Sequence, residues 1–217
     1  NAALGLNDEA LRVATTVSRL QAQRDEETAS SLLLLAQLYL ANNLYPEAQT
    51  SVKYGMALKG ATALAAQFHI VSGRAHQAVG DGEEAARQYV LSMTDEGVAA
   101  EARRRLGALR LDQERYEESA ELLSLVLVEE PEDSVSALSL SRAFVQLGRG
   151  EEALELALAV QKREEPDTRE AAIRLSQIAR ALVGVESTYK VETDGVWSRL
   201  LSAEAGHSAV VDRVNQR

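Results

Sequence analysis

The sequence predicts an all-α fold, an α-solenoid of stacked antiparallel helix hairpins, and three observations predict it. The first is composition. Of 217 residues, 46% are hydrophobic but only 4% are aromatic. A core drawn mainly from Ala, Leu and Val suits closely packed helices, whereas strands favour β-branched and aromatic side chains. The second is a recurrence. The strings Pro46-Glu47-Ala48, Glu83-Glu84-Ala85, Glu117-Glu118-Ser119 and Glu151-Glu152-Ala153 end 37, 34 and 34 positions apart. A fixed period of this length marks a repeat array. The third is apolar spacing of three and four residues inside each period, interrupted by short turns.

Each unit reads as helix A, turn, helix B, turn. Helix A carries Ala36 and Tyr39 in the first unit, Gly73 and His76 in the second, Leu106 and Gly107 in the third, and Leu140, Ser141 and Phe144 in the fourth. The turns are Asn43-Leu44-Tyr45, Gly80-Asp81-Gly82, Glu114-Arg115-Tyr116 and Gly148-Arg149-Gly150. In the fourth unit, helix A is expected over Ser134 to Leu147, with Ala137, Leu140, Phe144 and Leu147 on one face. Gly148 suits a left-handed C-cap. Glu151 and Glu152 then sit at the positive end of the next helix dipole. Ala153 lets the two helices approach closely, and Leu154, Leu156, Ala157, Leu158 and Val160 give helix B apolar residues on more than one side, as a helix packed between two neighbours requires. Pro131 and Pro166 punctuate the ends of the third and fourth units.

These residues and this period resemble the tetratricopeptide repeat family. The resemblance covers residues 29–167 as four units, about 29–62, 66–99, 100–133 and 134–167. The first keeps Leu32, Leu35, Ala36, Tyr39, Tyr45 and Ala48. The second departs most, with His76 where the family prefers Tyr and Gly82 where it prefers an aromatic. The resemblance implies a right-handed superhelix. Before the array, Asn7-Asp8-Glu9-Ala10 reads as the start of a helix B. Residues 1–28 are therefore expected to be a partial repeat, and the chain to begin inside a longer array. After it, 168–183 reads as an amphipathic capping helix through Ala171, Leu175, Ile178, Ala179 and Leu182. Residues 184–217 are expected to be a partly helical or flexible extension, with short helices near Val196 to Ala205 and Ala209 to Asn215.

Chemistry is sparse. The net charge is −10 and the pI about 4.9, so a phosphate backbone is repelled and no nucleic-acid partner is expected. The absence of cysteine removes disulfides, thiol nucleophiles and cysteine metal sites. Leu32 to Ala36 and Leu122 to Val128 fall far short of a membrane span, so no membrane insertion is expected. Gly80-Asp81-Gly82-Glu83-Glu84-Ala85 and its counterpart from Gly148 match a dinucleotide fingerprint, but both follow a helix at the same phase and would set glutamates against a pyrophosphate. They read as turns. His69 and His76 are seven apart on one helix with no third ligand at metal spacing, and His207 is remote. No catalytic, cofactor or metal site is predicted. Arg103, Arg104, Arg105, Arg110 and Arg115, with Glu101, form a local basic cluster that reads either as carboxylate or phosphate recognition or as pairing with nearby Glu and Asp.

The functional surface implied by the resemblance is the concave groove lined by helices A. By phase it takes Ser30, Leu33, Gln37 and Leu40, then Gln67, Ile70, Arg74 and Gln77, then Glu101, Arg104, Ala108 and Leu111, then Val135, Leu138, Arg142 and Val145. The core of the predicted site is Gln37, Leu40, Ile70, Arg74, Gln77, Arg104, Leu111, Leu138, Arg142 and Val145. Its mix of aliphatic residues and isolated arginines suits a protein or peptide ligand with apolar side chains and some acidic groups. Leu33 and Gln37 occupy the positions of the family's Lys/Asn carboxylate clamp, so that clamp is absent. The expected function is a non-enzymatic binding module or scaffold. Two alternatives remain open: a dimer or filament assembled through an open N-terminal end at Asn1 to Leu6, and the repeat part of a larger regulator or enzyme. The Ala-, Leu-, Glu- and Arg-rich composition leans bacterial, in the cytoplasm or the periplasm.

Overall fold

A computed structural model describes residues 12, 13, 15, 16, 29–58, 61–163 and 168–184. The expectations for residues 1–28, for the open N-terminal end, and for His207 and the extension after Gly184 lie outside the described residues, apart from the four early positions just named. The described residues carry helices and no strand. They are α1 (Ala29–Ala41), α2 (Tyr45–Met56), a 3-10 turn (Thr62–Leu64), α3 (Ala65–Ala78), α4 (Gly82–Ser92), α5 (Glu96–Asp112), α6 (Tyr116–Glu129), α7 (Ser134–Gln146) and α8 (Gly150–Lys162), followed by α9 over residues 168–184. The fold class is that of an α-solenoid of helix hairpins. The described residues up to Leu140 form one compact unit and those from Ser141 a second.

The hairpins share one joint. Asn43, Gly80, Glu114 and Gly148 occupy the same phase, and all adopt positive φ, from 59° to 84°. The next residue's N–H then reaches back to close the helix end: Leu44 to Tyr39 O at 2.9 Å, Asp81 to His76 O at 2.9 Å, Arg115 to Arg110 O at 2.8 Å and Arg149 to Phe144 O at 2.8 Å. This six-residue closure satisfies carbonyls that a helix C-terminus otherwise leaves open. Glycine takes the left-handed conformation freely, while Asn43 and Glu114 adopt it at a cost of about 1 kcal/mol or more.

Small residues set the spacing within each hairpin. Ala36 and Ala48, Ala85, Ser141 and Ser119, and Ala153 are fully buried, and Gly73 and Gly107 share their phase. A Cβ on Gly73 would stand 2.6 Å from the Tyr89 ring, and one on Gly107 2.7 Å from Leu123 Cγ, so these glycines accept the large side chain of helix B. Where serine replaces the small apolar residue, its hydroxyl bonds to the partner backbone. Ser119 Oγ donates to Gly107 O at 2.8 Å, and in the second unit Ser141 Oγ donates to Ala153 O at 2.8 Å.

Within the first unit, each helix packs on its chain neighbours, and α1 and α3, like α3 and α5, also touch. One core cluster joins Leu32, Leu33, Leu35 and Leu40 of α1 to Phe68, Val71 and Ala75 of α3. Another joins Ile70 of α3 and Tyr89 of α4 to Ala102, Leu106 and Leu109 of α5. Helix α5 starts at Glu96, before the unit boundary at 100, because the Asp95 carboxylate accepts from Gly97 N at 2.8 Å and caps it. In the second unit, Gly150 has no Cβ to meet Leu182 and Val183 of α9, which lie at 3.0–3.2 Å from where one would stand.

Candidate functional site: the face of helices A

The predicted groove residues divide by environment. Leu40, Ile70, Leu111 and Leu138 are buried, as is Leu33. These five positions, carried over by phase from the family resemblance, are therefore not open groove surface. Adjacent helices A also meet one another, so Leu33 and Leu40 sit in the cluster shared with α3, and Ile70 in the cluster shared with α5. Gln37 and Arg142 are exposed, and Arg74, Gln77, Arg104 and Val145 are half-buried. Of the secondary positions, Ser30 and Val135 are exposed, and Gln67, Glu101 and Ala108 are half-buried.

Arg104 is held by carboxylates. Its Nε donates to Asp133 Oδ2 at 2.6 Å and its Nη2 bonds Glu130. Arg103 Nη1 donates to Glu129 at 2.5 Å. Asp133 also accepts from Val135 N at 3.1 Å, Ser136 N at 3.2 Å and Ser136 Oγ at 2.6 Å, so it caps α7 while anchoring Arg104. Burial pushes its carboxyl up, but the Ser136 and Arg104 hydrogen bonds outweigh that and leave it below its ordinary value. The arginine cluster is therefore paired, largely between helices. Arg105 Nε donates to Glu101 at 2.9 Å, Arg110 lies 3.2 Å from Glu118, and Arg115 Nε donates to Glu118 at 2.7 Å.

Arg74 differs. Among the described residues it makes no hydrogen bond or ion pair, although it is half-buried on α3 and feels the charge of Glu101. Burial first, and then the positive charge of Arg105, hold its pKa below the usual guanidinium value, with Glu101 opposing. A guanidinium stays charged in proteins, so Arg74 presents an unneutralised cation in a partly desolvated place, where an anionic ligand group gains most. Beside it, Tyr89 reaches from α4 and its hydroxyl donates to Gln77 Oε1 at 2.7 Å. Burial pushes the Tyr89 phenol up to about 12. Residue-by-residue phase missed Tyr89, because it comes from helix B; the signal was Gly73, a glycine inside a helix opposite a large side chain.

The histidines are engaged separately. His69 Nδ1 and Gln88 Oε1 are 2.7 Å apart, and Gln88 Nε2 donates to Glu84 at 2.7 Å, which leaves Oε1 as acceptor and puts the proton on Nδ1. The Gln88 bond, first among several causes, holds the Glu84 carboxyl low. His76 Nδ1 lies 3.2 Å from Asp81 Oδ2, next to the α4 cap made by Asp81 on Glu84 N. Among the described residues no three His, Cys, Asp or Glu gather in a metal-binding group. Gly80 and Gly148 stand in hairpin turns between helices. None of the helices described is long and apolar enough to cross a membrane.

Stacked helix hairpins of this kind define the class of helical-repeat folds. The sequence model of the tetratricopeptide repeat family matches residues 70–134, so the resemblance read from the sequence holds over most of the second and third hairpins. Two crystal structures of MamA are similar to the chain. One has a TM-score of 0.56 at 18% identity, covering 87% of this chain and 95% of that one, and the other a TM-score of 0.55 at 18% identity, covering 87% and 88%. At that identity the likeness shows the fold. No curated protein sequence matches the chain significantly. Proteins of the tetratricopeptide repeat family are typically non-enzymatic interaction modules that bind protein partners.

Proposed function

We propose that the protein is a scaffold that holds a partner protein or peptide along its helices A, and that an acidic group of the ligand docks on Arg74. The half-buried, unpaired Arg74 guanidinium carries this reading. Gln77, fixed by the Tyr89 hydroxyl, offers its amide N–H groups next in phase on the same helix. Gln37, exposed on α1 of the same unit, is a further candidate contact. A carboxylate brought to Arg74 gains a charge-assisted, bidentate partner, worth about 1.5–3 kcal/mol where water is partly excluded. Arg104 is assigned to holding the α6–α7 connection rather than to the ligand.

The experiment is an affinity capture from the source cells with wild type and Arg74→Glu, read by mass spectrometry. A partner retained by wild type and lost on Arg74→Glu, with helicity intact, is the expected result. A partner retained equally by Arg74→Glu removes the ligand role of this face.

A further inference from the structure

Residues four apart on a helix share a face, and the outer rows of the second and third helices B begin on Glu and end on Leu. In α4 it runs Glu83, Arg87, Leu91, and in α6 Glu117, Glu121, Leu125, with every member exposed. Tyr54 takes the same phase at the end of α2 and is exposed too. The α4 and α6 rows thus start acidic at the N-terminal end and finish on a bare apolar side chain. Leu91 and Leu125 are 47% and 52% exposed, and Val90, beside Leu91, 53%. Leucine left this open at a repeated phase costs solubility without adding to the core.

A cavity of about 330 Å³ opens beside this row, lined by Glu83, Ala86, Arg87, Val90, Leu91 and Arg110. That volume accepts a large aliphatic or aromatic side chain. Arg110 contributes an unused donor. Its Nη1 bonds Gln113 Oε1 at 2.6 Å, but its buried Nε has no hydrogen-bond acceptor. Glu118 Oε2 lies 3.2 Å from it, close enough for charge pairing but outside hydrogen-bond geometry. A buried N–H without an acceptor is costly, and a peptide carbonyl in the cavity satisfies it once the Arg110 side chain turns its Nε towards the space it lines.

Charge decides the occupant. Arg87 is neutralised by Glu84, while Glu118 is shared between Arg110 and Arg115, so these three arginines face five glutamates when Glu83, Glu117 and Glu121 are included. Glu83, Glu117 and Glu121 have no ion-pair partner among the described residues. The surface is therefore negative on a chain of net charge −10, which repels nucleic acid and a second copy bearing the same rows. We infer that the outer face of α4 and α6 is a second docking surface, for a basic amphipathic peptide segment. One large apolar side chain enters the cavity at Val90 and Leu91, a second covers Leu125, and flanking Lys or Arg residues meet Glu83, Glu117 and Glu121. The two faces then select opposite ligands, acidic on helices A and basic on helices B.

The test is selection of a phage-displayed library of random peptides of about sixteen residues on the wild-type protein, with counter-selection on Leu91→Asp/Leu125→Asp. Both substitutions fall on exposed positions, circular dichroism checks the fold, and Leu125→Ser replaces the pair if helicity is lost. The expected clones depend on the leucines and carry Lys or Arg around large apolar residues. A synthetic peptide of the leading clone, labelled for fluorescence anisotropy, should bind at least tenfold more weakly to Glu117→Lys/Glu121→Lys and equally to Arg74→Glu. Clones without basic bias, clones held equally by the leucine variant, no retained clone, or binding that depends on Arg74 instead would each overturn the proposal.

Discussion

Arg104 and Asp133 allow a sharp test of which arginines hold the fold and which are left for a ligand. The Arg104 side chain is 30% exposed and that of Asp133 12%, so their bond at 2.6 Å is only partly screened. A charge-assisted bond of this kind contributes about 1.5–3 kcal/mol when sheltered, and the exposure of Arg104 moves the figure to the lower half. The contact with Glu130, itself half-exposed, adds less than about 1 kcal/mol. Arg104→Ala is therefore expected to lose about 2 kcal/mol in urea unfolding followed by far-UV circular dichroism. Arg104→Glu should lose about 1 kcal/mol more, because it sets a third carboxylate against Glu130 and Asp133. The sign with pH is definite. The Asp133 carboxyl titrates lower in the folded protein than in the unfolded chain, where it lies near about 3.9. Its stabilisation is complete above that value and is lost as pH falls through the folded pKa. The gap between wild type and Arg104→Ala should accordingly narrow below about pH 4. A gap under about 0.5 kcal/mol at neutral pH, within the usual range of surface substitutions, or one that persists undiminished in strong acid, would refute the assignment of Arg104 to the fold.

Two further outcomes are expected. Gly55→Ala places a Cβ against the fully buried Phe68 ring, 2.5 Å from Cε1 and in collision with Cζ. Overpacking of about 1–3 kcal/mol should exceed the helix-propensity gain of about 1 kcal/mol, and a double-mutant cycle with Phe68→Leu should recover part of the loss; an additive cycle argues against the contact. Tyr89→Phe should cost about 1 kcal/mol for the bond to Gln77. Because the folded phenol is pushed up to about 12, above an unfolded value near about 10, its stabilisation is present below that unfolded value and lost as pH rises towards 12. Alkaline unfolding midpoints of wild type and Tyr89→Phe should therefore converge at high pH, and parallel curves would count against it.

The hairpins were legible because their determinants are local. Small residues, turn glycines and acidic helix starts recur at one phase, and each acts on the turn that contains it. The turn at Glu114 was legible but its positive φ was not, because a charged residue in that conformation is held by the hairpin around it rather than by its own preference. The surface was legible only by direction. Phase named Arg74 and Gln77 as candidates alongside Ile70 and Leu40, but whether a side chain is covered depends on the neighbouring helix A, which buries the latter two. The pairing of Arg104 was not legible because its partners, Glu130 and Asp133, stand 26 and 29 positions away, beyond any helical spacing. Conversely, the isolation of Arg74 is a property of what fails to approach it.

The packing of α1 to α6 on helices one or two places along the chain also bears on how damage spreads and how such a chain is remodelled. Sequence separations between touching helices stay short however many hairpins are stacked, so ordering one hairpin demands little loop closure and the next can grow upon it. A lesion at Gly55 weakens the junction of the first two hairpins, and its influence fades with each interface crossed. Hairpins behave as interchangeable cassettes. Exchanging the one that carries Arg74 for another of the same length should rewrite what is recognised while leaving distant neighbours to fold as before.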